Sequence, residues 1–583
     1  MVKELVSDVL TEAIESLYGI VIKEVDQLVE IPPEDNMGDF SLPCFGLAKQ
    51  LKKSPIVIAG DLQDHILTDK NEVWLNKAAA VNGYLNLFIN RGYYVNLVCE
   101  EINKGDLGAA MLGRGKTICI DYSSPNIAKK FHVGHLRTTV IGNSLYHIYS
   151  KLGYQVIRIN YLGDWGTQFG KLIMAYKQWS SKEEVETGGI EELLRIYVKF
   201  SAEAKNNDSL NTEAREWFAK MEKGDEEALS VWKWFKDISM KEFDRVYQLL
   251  DVTFDSWQGE SFYMDKVPAL VRELKQKGLL EESEGANIIR LDEDGMPPCL
   301  ITKQDGSSIY HSRDIAAAIY RKKVYDFSEC LYVTGVEQKL HFVQIFKALS
   351  LMGYEWAKNM RHIPYGLVSM GGKKLSSREG NIVYAEAILK EAIERALVAI
   401  KEKNPALKDK ESAAEKIGVG AVIFHDLSNQ LIKDVHFSWE EVLNFDGMTA
   451  PYIQYTYARA NSILRKAGDN AGSNAELSTE EISRQTTGKI KTQHLEDDCS
   501  YGIIKLLGDY PNVIIEAAKK YEPCIVARYA YRLAGTFNKF YQENRILDAD
   551  RDFRPARLFL TEAARDVIGD AMSLLGIKCP EEM

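Results

Sequence analysis

The chain has little of what would mark a secreted, membrane-bound or metal-binding protein. Its eight cysteines in 583 residues, at Cys44, Cys99, Cys119, Cys299, Cys330, Cys499, Cys524 and Cys579, stand singly and never form CxxC. That spacing excludes a zinc ribbon, a redox pair and a disulfide framework, and suits a reducing cytosol. Isolated thiols of this kind are expected to pack as small hydrophobes. No apolar run reaches the roughly 18 uncharged residues of a membrane-crossing helix. The opening MVKELVSDVLTEAIESLYGI mixes acids with its apolar residues and lacks a small-residue cleavage site, so it does not read as a signal peptide. It reads as an amphipathic helix with Val6, Leu10, Ala13 and Leu17 on one face. Internal repeats, low-complexity tracts and a P-loop are also missing. So is any basic excess: 72 Lys and Arg stand against 84 Asp and Glu, a net charge of −12. A negative total speaks against a nucleic-acid partner, but RNA needs only a local basic path, and charge leaves that question open.

What is present is ordinary for a globular enzyme: 45% hydrophobic and 27% charged residues. The length calls for three or four domains. Residues 1–110 read as a small α/β module: the first helix, the turn-rich IPPEDNMGDFSLP, then NGYLNLFIN at 82–90, alternating enough for a strand. A second domain, 111–445, opens with a short apolar strand at Thr117–Ile120. The loop DYSSPNIAKKF, a helix over His135–Leu152 and a strand at Val156–Asn160 follow. This alternation predicts a parallel sheet with right-handed crossovers. A charged helical insertion at about 175–260 interrupts the sheet, which resumes at Cys330–Thr334 and His362–Val368. Beyond about 385 nearly everything reads as helix, apart from a polar loop around 467–490, and 446–583 forms the third domain. There PYIQYTYARANSILRKA puts Ile453, Tyr457, Ala460 and Leu464 on one face.

Two segments carry visible chemistry. Phe131-His132-Val133-Gly134-His135 stands after a strand and opens a helix. A glycine there lets a nucleotide approach the backbone. The helix N-terminus offers unpaired N–H groups and a positive dipole end to phosphate. Histidines can donate hydrogen bonds as charge gathers on phosphate oxygens in a transition state. An HxGH string is common by chance, but the end of a strand in an open α/β sheet is where nucleotides bind. The second segment, Gly371-Gly372-Lys373-Lys374-Leu375-Ser376-Ser377-Arg378-Glu379-Gly380, is a glycine-flanked cationic loop suited to a polyphosphate. Taken alone it could equally be a solvated basic turn; the pair is far more informative than either part.

HVGH followed by KLSSR resembles the class I aminoacyl-tRNA synthetases. DYSSPNIAKKFHVGHLRTTVIGNSL, GDWGTQFGKL at 163–172, the YxxxD of Tyr310 and Asp314, and VEQKLHF at 336–342 are similar to the arginyl-tRNA synthetases in particular. NMGDFSLP, FDGMTAPYIQYTYAR, LAGTFNKFYQ and LLGIKCPEEM extend the resemblance, in order, over nearly the whole chain. It implies a multidomain α/β protein. Its parts would be a small α/β N-terminal domain touching the tRNA elbow, a Rossmann-like parallel-sheet catalytic core with a helical insertion, and an all-α C-terminal anticodon-binding bundle. It implies an enzyme that makes arginyl-adenylate from arginine and Mg-ATP, then passes the arginyl group to the 2′-hydroxyl of the terminal adenosine of tRNA(Arg). It also implies a monomer and no tightly bound cofactor.

Carried over residue by residue, the resemblance assigns His132, Gly134 and His135 to the ATP phosphates. Lys374, Ser376, Ser377 and Arg378 form the mobile phosphate loop, and Gly335 and Glu337 lie beside the ribose and adenine. The DxSxPN residues Asp121, Ser123 and Asn126 would form the arginine pocket with Tyr310, Asp314 and Gln338. A guanidinium is planar, permanently charged and rich in donors, so carboxylates such as Asp121 and Asp314 suit it. Many relatives have glutamate where Asp121 stands, and serine here replaces the second lysine of the usual KMSKS loop. Lys129, spaced from HVGH as in the family's NxAK, is the favoured replacement cation; Lys130 stands where proline is common. For RNA, the C-terminal helices mix aromatics and cations, among them Tyr452, Arg459, Arg532, Asn538 and Tyr541, as stacking on unpaired bases requires.

Three other readings compete. A different class I synthetase would lack the acids suited to a cationic substrate. A small-molecule adenylyltransferase would not need the helical C-terminal region. A non-catalytic tRNA-binding paralogue would not keep both nucleotide motifs.

Overall fold

The computed structural model describes residues 2–22, 25–67, 71, 73–304, 307–370, 373–374, 383–469 and 490–583. They form two compact units, neither contiguous in sequence. One is built from residues 1–107, 459–512 and 532–568, the other from 108–458, 513–531 and 569–583. All eight cysteines are free thiols, six of them buried. No helix among the described residues is long and apolar enough to cross a membrane.

In the first unit, helix Val2–Tyr18 buries Val6, Leu10, Ala13 and Ile14. Leu17, expected on that face, is exposed, because the buried stripe ends one turn earlier. Strands β1 (Phe40–Pro43), β2 (Leu75–Val81) and β3 (Tyr84–Ile89) form an antiparallel sheet in the order β1-β3-β2. Asn82 and Gly83 join β2 to β3 with positive φ of 50° and 84°, the conformation a two-residue I′ hairpin turn demands and asparagine–glycine supplies.

The second unit is centred on a parallel sheet in the order β10-β9-β4-β5. Its strands are β4 (Thr117–Asp121), β5 (Gln155–Ile159), β9 (Glu329–Gly335) and β10 (Met360–Tyr365). The insertion between β5 and β9 contains helices Thr167–Trp179, Lys182–Glu203, Asp208–Glu222 and Glu226–Leu250. It also holds a small antiparallel sheet, β6 (Glu281–Ser283), β7 (Ala286–Ile289) and β8 (Cys299–Thr302), whose short strands left no readable alternation. The single strand expected at 362–368 is two. β10 stops at Tyr365, and β11 (Val368–Met370) joins β12 (Lys373–Lys374) and β13 (Val435–Phe437) in a separate sheet. β13 also interrupts the stretch beyond 385 expected to be nearly all helix; three residues are too few to show a period of two. The polar stretch at 470–489 lies outside the described residues.

Helix Val133–Lys151 lies between β4 and β5 in the chain and is buried on nearly every side. Several of its polar side chains are answered by backbone carbonyls. Thr138 Oγ1 donates to Val333 O at 2.7 Å, Thr139 Oγ1 to His135 O at 2.6 Å, and Ser144 Oγ to Leu574 O at 2.8 Å. At Gly142 an added Cβ would stand 2.1 Å from Cγ of Tyr122, in the loop after β4. We expect Gly142→Ala to destabilise this unit by about 1–3 kcal/mol through overpacking, read as an earlier melting transition in calorimetry of the whole chain.

Candidate active site

In the sheet order, the chain leaves β4 for β5 on one side and returns to β9 on the other. The strand order thus reverses between β4 and β9, and the crevice beyond their carboxyl ends is where an open α/β sheet binds its ligands. The loop after β4 and the turn after β9 both open there.

The loop after β4 has an uncommon backbone. Ser123, Ser124 and Ala128 take positive φ of 71°, 47° and 61°, a strain that persists only where surroundings over-determine it. Here they do. Ser123 N donates to Thr138 Oγ1, Ser124 N to Asn160 Oδ1 and Ala128 N to Ser239 Oγ, at 3.2, 3.1 and 2.9 Å. Ser123 Oγ lies 2.7 Å from the Tyr247 hydroxyl. Asn126 forms a bridge with Gly163.

His132 caps the helix. Gly134 N donates to His132 Nδ1 at 3.0 Å, and His132 N donates to His135 Nδ1 at 3.3 Å. The two rings stack at 3.8 Å. A Cβ at Gly134 would fall 2.9 Å from Cε1 of His132 and would press on that ring. Because each Nδ1 accepts a backbone hydrogen bond, each neutral ring carries its proton on Nε2. Burial, helped by Lys129, lowers His132 to about 4, and burial with His132 and Lys129 as neighbours lowers His135 well below the usual value. The result is two neutral Nε2–H donors at a helix N-terminus, a combination that receives phosphate oxygens.

The exposed Lys129 makes no ion pair among the described residues. Lys130 pairs with Glu191 and lies 4.2 Å from the Tyr384 ring. Of the two lysines before HVGH, Lys129 is the one left for an incoming anion. Lys374 is in β12; Ser376, Ser377 and Arg378 lie outside the described residues.

The acids are differently placed from one another. Asp121 is buried and already engaged: its Oδ2 accepts from Arg321 Nη1 at 2.7 Å and its Oδ1 from Ser124 Oγ at 2.9 Å. Arg321 is itself fully buried, its guanidinium lying 5.2 Å from the Tyr161 ring. Asp314 is half-buried, with Oδ2 2.6 Å from His341 Nε2. One turn earlier on the same helix, Tyr310 is 56% exposed, open to a ligand. A third acid, Glu260, went unnoticed in the sequence. It pairs with Arg313 Nη2 at 3.1 Å. Burial pushes its carboxyl up to about 7; Arg313 opposes the shift, and Asp314 and Asp164 add to it. Only its position at the end of the expected insertion could have drawn notice, since a glutamate in WQGES belongs to no pattern readable in one sequence. Gly335 ends β9, and Glu337 and Gln338 are exposed in the turn that follows.

Among the residues marked for RNA, three meet in the first unit. Arg459 Nη1 donates to Asn538 Oδ1 at 2.5 Å, and its guanidinium lies 5.1 Å from the Tyr541 ring. Arg532 is exposed. Tyr452 belongs to the second unit and packs 5.5 Å from Tyr531.

Residues 98–439 match the family model for the catalytic domain of class I (R) tRNA synthetases. Residues 453–583 match the DALR anticodon binding domain, and residues 2–89 the arginyl tRNA synthetase N-terminal domain. A parallel sheet with HVGH at its switch point and an anticodon-binding module is the architecture of a class I synthetase. The protein named arginine–tRNA ligase in Alkaliphilus metalliredigens is 50% identical over 100% of this chain and 99% of its own length. That of Halothermothrix orenii is 46% identical over the same shares. The chain belongs to the arginyl-tRNA synthetase family. Its fold is that of the solved Thermus thermophilus arginyl-tRNA synthetase, with a TM-score of 0.83 at 24% identity and full coverage of both chains. The Plasmodium falciparum enzyme aligns with a TM-score of 0.82 at 23% identity, covering 100% of this chain and 99% of the other.

The histidine pair has a pH signature. A ring whose folded value lies near 4 binds fewer protons than the unfolded chain between about pH 4 and 6.5. Stability contributed by the neutral ring is therefore intact above about 6.5 and is lost as pH falls toward 4. In a histidine NMR titration, we expect the His132 ring to stay neutral, with its proton on Nε2, down to about pH 5.

Proposed function

We propose that this chain is an arginine–tRNA ligase acting on L-arginine, Mg-ATP and tRNA(Arg). A carboxylate oxygen of arginine attacks the α-phosphorus of ATP and pyrophosphate leaves. The 2′-hydroxyl of the terminal adenosine then attacks the arginyl carbonyl, and AMP leaves. No side chain becomes covalently modified, so catalysis rests on positioning and charge stabilisation.

The observation that carries the choice of arginine is the balance of charge around Asp314. Asp121 is matched by Arg321 and Glu260 by Arg313, both resident and buried, whereas among the described residues Asp314 has only the His341 imidazole. One carboxylate without a resident guanidinium suits one incoming guanidinium, and the open Tyr310 ring gives it a face to lie on. Asp121 then acts by holding the loop and Arg321 rather than by direct contact. Asn126 and Gln338 serve the substrate's α-amino and carboxylate ends, with Ser123 fixing the loop. Gly335 and Glu337 stand beside the nucleoside. His132 and His135 donate through Nε2 to phosphate oxygens, and Lys374, Ser376, Ser377 and Arg378 close on the polyphosphate. The 1–110 domain meets the tRNA elbow and the 446–583 domain the anticodon arm, through Tyr452, Arg459, Arg532, Asn538 and Tyr541. The chain acts as a monomer in the cytosol.

ATP–pyrophosphate exchange across the amino acids, with and without tRNA, tests this reading. We expect exchange with arginine alone, dependent on tRNA(Arg). Asp314→Asn should raise the KM for arginine by about 100-fold, with that for ATP little changed. Exchange with another amino acid would overturn the pocket, and silence in every condition would leave a tRNA-binding paralogue. Lys129→Ala separately tests the replacement cation: exchange should fall at least about 10-fold, and an unchanged rate would return that role to Arg378.

A further inference from the structure

Two residues after HVGH, Arg137 is 1% exposed, yet no carboxylate reaches it at full hydrogen-bonding distance. Its Nη1 donates to Gly366 O at 2.9 Å and Leu367 O at 3.2 Å. Its Nη2 donates to Leu431 O at 3.1 Å and Lys433 O at 3.0 Å. Asp426 Oδ1 stands 3.5 Å from Nε, beyond a formed hydrogen bond. A buried guanidinium is expensive to desolvate, so its choice of partners is informative.

Both gripped segments run directly into the sheet that bears Lys374. Residues 366–367 lead into β11, and 431–433 lead, through Asp434, into β13. The segments are also tied to each other: Gly366 N donates to Leu431 O and Val435 N to Leu367 O, both at 2.9 Å, and Leu367 N donates to Asp434 Oδ1 at 2.7 Å. β11 pairs in parallel with β13 and antiparallel with β12, placing Ser369 opposite Lys374. On the far side of the KLSSR segment, the chain returns to the same motif. Val133 N donates to Val383 O at 3.2 Å and Ala385 N to Phe131 O at 3.0 Å. One flank of the segment is thus held to HVGH by backbone. The other is held through the Arg137 guanidinium.

We propose that Arg137 is a positioning residue for the activation step, setting the register of the Lys373–Lys374 strand against the histidine-bearing helix end. The inference rests on the reading above that Lys374 serves ATP. Lysine at 137 would keep the charge, but one ammonium cannot span four carbonyls on two segments.

The test uses full-length chain with tRNA and arginine: kinetics of ATP–pyrophosphate exchange for Arg137→Lys, Lys374→Ala and the double variant, each with its melting curve. We expect Arg137→Lys to lower kcat about 10- to 100-fold and to raise the KM for ATP. The KM values for arginine and tRNA should stay within about twofold. The double variant should be no worse than Lys374→Ala alone, because both changes remove the same contribution. A merely structural role would shift melting and move all three KM values together, or multiply with Lys374→Ala; either outcome overturns the proposal. If Lys374→Ala leaves exchange unchanged, the reading of Lys374 falls, and this inference with it. Asp434→Ala removes an exposed tie at the same junction and leaves the guanidinium in place. It should show the same ATP-selective loss at about threefold, and its failure to do so overturns the proposal even where Arg137→Lys does not fold.

Discussion

Burying a helix on nearly every side presses its polar side chains to find partners, and the partners of Val133–Lys151 are the framework of the catalytic unit. Thr138 reaches the middle of β9 and also holds the loop after β4. Arg137 reaches the segments feeding the second sheet, and Ser144 reaches the C-terminal residues. A helix so placed has one end free to face ligand, its N-terminus, and that is where the histidines stand. The pieces surrounding that end are all referenced to the same helix.

Charge in the site follows from the same economy of partners. A buried guanidinium persists only beside its own carboxylate or a full set of carbonyls, and Arg321, Arg313 and Arg137 each meet that condition. The resident guanidinium groups thereby pair with Asp121 and Glu260, while Asp314 pairs with the His341 imidazole. The histidine pair meets the opposite condition. Low solvation keeps both rings uncharged, so what they offer a ligand is hydrogen bonds beside a helix end, while Lys129 is exposed at the rim.

Much of the site was legible in sequence because its chemistry is local. HVGH works through hydrogen bonds two and three residues apart, and Tyr310 and Asp314 share a helix face one turn apart. Glu260, Arg321 and His341 were less readable. Their meaning depends on pairs separated by tens to hundreds of residues, from Glu260–Arg313 to Arg321–Asp121, and Arg321, followed directly by Lys322 and Lys323, looks like any surface arginine. β13 escaped for a related reason: its three residues are a strand only because β11 lies beside them.

The linear order of residues determined by itself the alternation that makes a parallel sheet, the cap and glycine that start the signature helix, and the family to which the chain belongs, since each is written within a few turns or in ordered motifs. Only tertiary structure decided which acid meets a guanidinium and which an imidazole, and which arginine ties the lysine-bearing strand to the histidine helix. Burial sets both, by stripping water from a charge and leaving it to whichever group the fold brings within about 3 Å.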